Sequence, residues 1–169
     1  MSVSPQQLIE LIDAELAMLN DERVVLYIRA LLVPPTPVVR DWDYGAPGEA
    51  YPCWTVLAHT ASNTGIAYCE SGFGPRSPWG LVFLTGTSHM SIGMDSGWFA
   101  SFLEAFFESQ GATDLLVWRV FKQCDEPYPG IAITPESDWH LAWEEAHKLR
   151  VVDPSSSYIV SHSIPFPRE

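Results

Sequence analysis

The sequence predicts an α+β fold: one domain over residues 1–169, with a mainly antiparallel sheet of about five to seven strands and about three helices, N-terminal, middle and C-terminal. Three observations lead there. Short β-branched and aromatic runs separated by turn residues crowd the middle of the chain. Apolar residues at helical spacing occur before and after them. A chain of 169 residues, 47% apolar and 18% charged, is long enough for one core and short for two. No internal repeat, low-complexity tract or long linker divides it.

The first helix spans residues 5–20. Ser4 is its cap, Pro5 its first residue, and Gln7 completes a capping box, with Leu8, Ile9, Ile12, Leu16 and Leu19 as its apolar stripe. Asn20 and Asp21 close it. ERVVLYIRALLV then reads as a strand, with a helix as the alternative, and PPTP stops it because proline cannot donate to a sheet ladder. Four strands follow as a meander, VVRDWDY, YPCWTVLAHT, GIAYCE and WGLVFL. GAPGE, ASNT and SGFGPRSP form the turns between them, and ASNTG is the clearest hairpin signal. A second helix, Trp98 to Ser109, is capped by Asp95 or Ser96 and buries Phe99, Phe102, Leu103 and Phe106. LLVWRVF is a further strand. Pro135 opens a third helix to about Leu149, with Trp139, Ala142, Trp143, Ala146 and Leu149 on one side. SYIVSH is the last strand, before Pro165 and Pro167.

The formal charge is −12, from 9 basic and 21 acidic side chains. At long range this repels nucleic acid and anionic membrane and attracts a basic protein; solubility alone also accounts for it. Cys53, Cys69 and Cys124 are an odd, unclustered set, which fits reduced thiols better than a disulfide framework or a zinc knuckle. MSVSPQQLIELID does not have the pattern of a signal peptide, and no apolar run approaches about 20 residues. The expected location is the cytoplasm.

Catalytic patterns are weak. His140, Glu144 and His147 share a helix face at i, i+4 and i+7, yet a solvated face explains them better than a metal site. GMDSG and GTSHM both miss the G-x-S-x-G nucleophile pattern. Cys69 could pair with His59 or His89 as a thiolate, but a cysteine alternating into a core is the commoner arrangement. GFGPRSPWG matches neither phosphate-loop spacing, and a strand rather than a helix follows it. Residues 41–118 hold eight acids and one base, Arg76, which either contacts a ligand or pairs with Glu70 or Asp95. Asp41 and Asp43 would point from one sheet face if RDWDYG is a strand, as a glycosidase pair or as solvated edge charges. Arg119 and Lys122 in WRVFK make no basic patch.

Acidic and aromatic residues recur together in RDWDYGAPGEAYPCW and QCDEPYPG. Tyr and Trp supply rigid contact area, and carboxylates around them steer a basic partner inward. The expected function is a non-catalytic, acidic protein-binding module, leaning away from an enzyme. Its expected binding residues are Asp41, Trp42, Asp43, Tyr44, Glu49, Phe73, Arg76 and Trp79. Small acidic proteins that neutralise a basic toxin, as bacterial immunity proteins do, share this size and charge; no motif carries the comparison. The alternative is a small hydrolase or ligand-binding enzyme, its cleft lined by Asp41, Asp43 and the Gly72–Gly80 loop. A third reading has the surface aromatics as a self-interface in a homo-oligomer. No cofactor, metal, nucleic acid or membrane is expected.

Overall fold

Ser4 begins the first helix as its sequence predicts: its Oγ accepts from the Gln7 amide (3.2 Å) while its own amide donates to Gln7 Oε1 (2.9 Å). The computed structural model describes residues 3–85, 92, 97–124 and 129–164. Helix α1 (Pro5–Leu16) buries Leu8, Ile12 and Leu16, while Ile9 is exposed. Residues 22–31 form a helix, α2 (Glu22–Leu31), where the sequence favoured a strand. Asp21, expected to close α1, instead caps α2 by accepting from the Arg23 amide (3.0 Å). Val24 and Ile28, one helical turn apart, are the residues buried, and Leu26 between them is exposed. A strand would have put Leu26 on their face; the cap and the i, i+4 burial outweigh β-propensity here.

The chain divides into two compact units, Met1–Ala112 and Thr113–Glu169. The first holds a five-stranded antiparallel sheet in the order β1 (Leu32–Asp41), β2 (Ala50–His59), β3 (Thr64–Tyr68), β4 (Trp79–Phe83), β5 (Trp98–Phe99). PPTP, expected to stop a strand, lies inside β1. The sheet tolerates it because, among the described residues, β1 pairs through its ladder with β2 alone, and the register shifts between Leu32 and Thr36. The ASNT hairpin forms as expected: a 3-10 turn, Thr60–Ser62, leads to Asn63 in the left-handed region (φ 57°), and β3 returns along β2. The middle helix, α3 (Phe102–Phe107), is shorter than expected and is capped by Ser101 with Glu104. Trp98 and Phe99 pair with β4 instead of entering it, and the expected caps Asp95 and Ser96 lie outside the described residues.

One face of this sheet packs on the helices through Val56, Leu57, Ile66, Trp79, Phe102 and Phe106, all buried. The other carries Cys53, Ala67, Cys69 and Val82, with Ile92 against them. The sheet coils tightly. Arg40 of β1 is in register with Tyr51, near the start of β2, yet its Nη1 reaches the carbonyl of Phe83, at the far end of β4 (3.1 Å). The Ile92 amide likewise donates to the Asp41 carbonyl (2.9 Å).

The second unit is a three-stranded antiparallel sheet of β6 (Trp118–Lys122), β7 (Ile131–Ala132) and β8 (Tyr158–His162), in the order β7-β6-β8, with helix α4 (Trp139–Val152). The helix begins after Asp138, which accepts from the Leu141 amide (2.9 Å), four residues beyond the expected Pro135 start. Ala146 packs on Val120 and Tyr158, flanked by Leu149 and Val160. The whole chain is therefore α+β with two antiparallel sheets. No helix among the described residues is long and apolar enough to cross a membrane.

Candidate functional site

Five of the expected binding residues come together where β1 gives way to the 42–49 loop. Two turns shape it: Gly45 N donates to Trp42 O (3.0 Å) and Glu49 N to Ala46 O (2.9 Å), while Trp42 N donates to Glu49 O (2.8 Å). The Glu49 carboxylate holds the loop from inside, accepting from the Ala46 amide (2.8 Å) and from the Tyr51 hydroxyl. These two bonds, the tyrosine's first, hold Glu49 below the ordinary glutamate range, so it is an ionised anchor and no general acid. Asp43 therefore sits in a turn. The paired-carboxylate arrangement expected of RDWDYG as a strand is not formed, because β1 ends at Asp41.

Trp42 is the hub of an aromatic cluster. Its ring centroid lies 4.9 Å from Phe73, 5.4 Å from Tyr44 and 6.3 Å from Tyr51. Phe73 in turn lies 5.6 Å from Tyr44 and 5.9 Å from Trp98. The Trp42–Phe73 and Tyr44–Phe73 contacts are edge-to-face, a geometry that adds about 0.5–1.5 kcal/mol beyond burial, so the rings brace one another. Two glycines make the approach fit. Gly72 takes a positive φ (69°), and a Cβ there would lie 3.0 Å from the Trp42 ring. A Cβ on Gly80 would lie 2.5 Å from the Trp98 indole. Tyr44 remains 58% exposed and Phe73 38%, so the cluster presents ring surface to solvent with Asp41 and Asp43 exposed beside it.

The loop over residues 69–78 is closed by the Cys69 amide donating to the Pro78 carbonyl (2.8 Å) and runs directly into β4. No helix N-terminus stands behind its glycines, which removes the usual basis for phosphate affinity. Of its glycines Gly72 adopts the left-handed conformation and Gly74 does not. Arg76 is exposed and forms no ion pair with a described residue; Asp95, one of its expected partners, lies outside them. Trp79, expected at the rim, is a core residue at 3% exposure, packed between Tyr68 and Phe102 on the helix side. Strand alternation explains it: Gly80 faces the aromatic cluster, so its neighbour faces away.

The reading of the sequence missed Tyr51, Trp98 and Arg40. Tyr51 alternates with Cys53 on β2, which was a usable signal. Trp98 was assigned to a helix, and Arg40 drew no notice because a lone arginine before two aspartates reads as solvated. It is 1% exposed, and burial pushes its guanidinium below the usual arginine range.

The less favoured catalytic and metal groupings are not brought together among the described residues. His59 pairs with Thr64, and its Nδ1 meets Ser62 Oγ at 2.7 Å. Cys69 lies opposite Cys53, six residues back along β2, or roughly 20 Å away. His89 lies outside the described residues, as does half of the QCDEPYPG segment. His140, Glu144 and His147 are exposed on α4, and no group of three metal-ligating side chains occurs among the described residues. Comparison with protein-family models, curated proteins and solved structures finds no match for the chain.

Proposed function

We propose that the chain is a protein-binding module that docks a basic protein on the Trp42–Tyr44–Phe73 patch, in the way small acidic proteins neutralise basic toxins. The observation that carries this reading is the patch itself: braced aromatic rings, partly exposed, beside free carboxylates. Aromatic anchors with a charged rim are the composition of interface hot spots, and ring faces attract lysine and arginine directly. The unit that bears the patch has twelve acidic against four basic side chains, a net −8, which favours a cationic partner at long range. A reducing, cytoplasmic setting belongs to the same proposal and is supported by three cysteines without disulfide bonds.

The test is photo-crosslinking from position 73 in lysate of the native host, followed by binding measurements with the captured protein purified. A basic protein should be captured, and its association should slow as salt rises from about 0.1 M to about 1 M, where the Debye length falls from about 10 Å to about 3 Å. Asp41→Asn/Asp43→Asn should slow association further, and Tyr44→Ala or Phe73→Ala should weaken affinity about tenfold or more. Capture of an acidic protein, or binding indifferent to both salt and these substitutions, would overturn the proposal.

A further inference from the structure

Cys53 and Cys69 stand opposite each other on the concave side of the five-stranded sheet. In the β2–β3 ladder Trp54 pairs with Tyr68 and Thr55 with Ala67, so the next rung sets Cys53 against Cys69, both side chains on one face. They are 0% and 1% exposed and share a single apolar cluster with Ala67, Val82 and Ile92 beneath Trp42, Tyr51 and Trp98. Their sulfurs lean on successive carbonyls of one strand, Cys53 Sγ on Tyr51 O and Cys69 Sγ on Pro52 O, each at 3.7 Å. Directly opposed residues in such a ladder have Cβ atoms about 4.5–5.5 Å apart, and a disulfide needs about 3.5–4.5 Å. An approach of about 1 Å would close the bond without moving a strand.

A cation lies in the same interior. Arg40 is in register with Tyr51 and so shares the face of Cys53. Its Nε is buried without an acceptor, and no described carboxylate pairs with it. Its charge favours ionisation of the Cys53 thiol, though the Cys69 side chain and burial outweigh it there. The Cys53 side chain holds the Cys69 thiol below the usual range, whereas interaction with Cys69 and burial push Cys53 up. The two sulfurs are thereby unequal, as a nucleophile and its resolving partner must be.

We propose that Cys53 and Cys69 are a peroxide-responsive dithiol that closes to a disulfide beneath the aromatic patch. The Cys69 thiolate attacks one oxygen of hydrogen peroxide; an S–O bond forms, the O–O bond breaks, and the leaving hydroxide takes a proton to become water. The Cys53 sulfur then attacks the sulfenic sulfur. An S–S bond forms, the S–O bond breaks, and hydroxide leaves with the Cys53 proton as a second water. Two thiols lose two electrons and one peroxide becomes two waters. Nothing in this depends on what the patch binds.

The experiment uses the full chain with Cys124→Ser, which removes the exposed thiol that could link two molecules. The folded protein is treated with hydrogen peroxide, quenched with catalase, unfolded in maleimide and analysed by intact mass and peptide mapping, with circular dichroism recorded on the same sample. The expected result is loss of both labelling sites, a mass lower by two hydrogens, a Cys53–Cys69 linked peptide, and reversal by dithiothreitol with the fold retained throughout. Cys53→Ala and Cys69→Ala should each abolish the link, and the melting temperature should rise on oxidation in the parent but in neither variant. Thiols that stay fully labelled would overturn the proposal. So would sulfinic or sulfonic acid without a link, or a link that forms only as the circular dichroism is lost.

Discussion

Glu49 shows how one side chain can shape a surface without belonging to it. Its carboxylate ties the Ala46 amide and the Tyr51 hydroxyl together, and Trp42 is set by the loop so formed. Because its folded-state value is depressed, its contribution is fully present above the ordinary glutamate value of about 4.3 and is lost as pH falls through the folded value. Tryptophan fluorescence should therefore hold steady from neutrality down to about pH 4.3 and change below it, whereas Glu49→Gln should flatten that acid limb. Arg76, exposed and without a described ion pair, makes the opposite prediction. Arg76→Ala should change stability by less than about 0.5 kcal/mol in thermal or urea unfolding while altering partner binding. Acidic residues beside Trp42 and Tyr44 are a compositional signal in RDWDYG, whereas the packing of Phe73 on them from a separate loop is set by the fold. Trp79 was misread because its exposure depends on which face of β4 turns to the helices, and that parity is set by tertiary contact.

At the level of elements, α1 and α3 are joined by a cap that no local pattern announces. The Glu15 carboxylate accepts from the amides of Phe102 (3.1 Å) and Leu103 (2.8 Å), the first residues of a six-residue helix. Burial raises Glu15 above its ordinary value although those two amides pull it down. Its charge is therefore a cost at neutral pH and its hydrogen bonds a gain, and the acceptor matters more than the ionisation. Glu15→Ala should lower stability by about 1–2 kcal/mol, a fall in melting temperature of roughly 2–8 °C, since it strands two amides near the core. Glu15→Gln, which keeps an acceptor and removes the charge, should lose less. The raised value also makes this group's contribution greatest below about pH 4.3 and smaller as pH rises through the folded value. The start of helix α1 and its capping box were readable, because their signals lie within four residues of one another, whereas its end falls at Leu16, short of the expected residue 20. Helix α2 was misread because β-branched residues filled its positions and Asp21 served equally as the end of one helix or the start of the next.

For the molecule as a whole, the α+β class followed from the order of the periodic segments, while the division into two sheets did not. Strands β6, β7 and β8 form a sheet of their own, and the pairing that separates them from β1 to β5 is not written in any local pattern. Charge, by contrast, is a whole-chain property that sequence gives directly. A net −12 on 169 residues strains the folded state by self-repulsion. Raising sodium chloride from about 0.01 M to about 0.15 M shortens the Debye length from about 30 Å to about 8 Å. The melting temperature of the free protein should therefore rise by a few degrees over that interval, with a flat profile as the contrary result. The same addition should weaken binding to a basic partner, so stability and association should move in opposite directions.

The prolines of β1 reach beyond the strand that contains them. Pro34, Pro35 and Pro37 remove three N–H groups from four consecutive residues of a strand whose ladder, among the described residues, runs to β2. A stretch of strand short of donors is a poorer template for an added strand, whether from a stranger or from another copy of the same chain. Contacts along this stretch of β1 are thereby left more to side chains than to backbone, which blunts it against stacking of sheets.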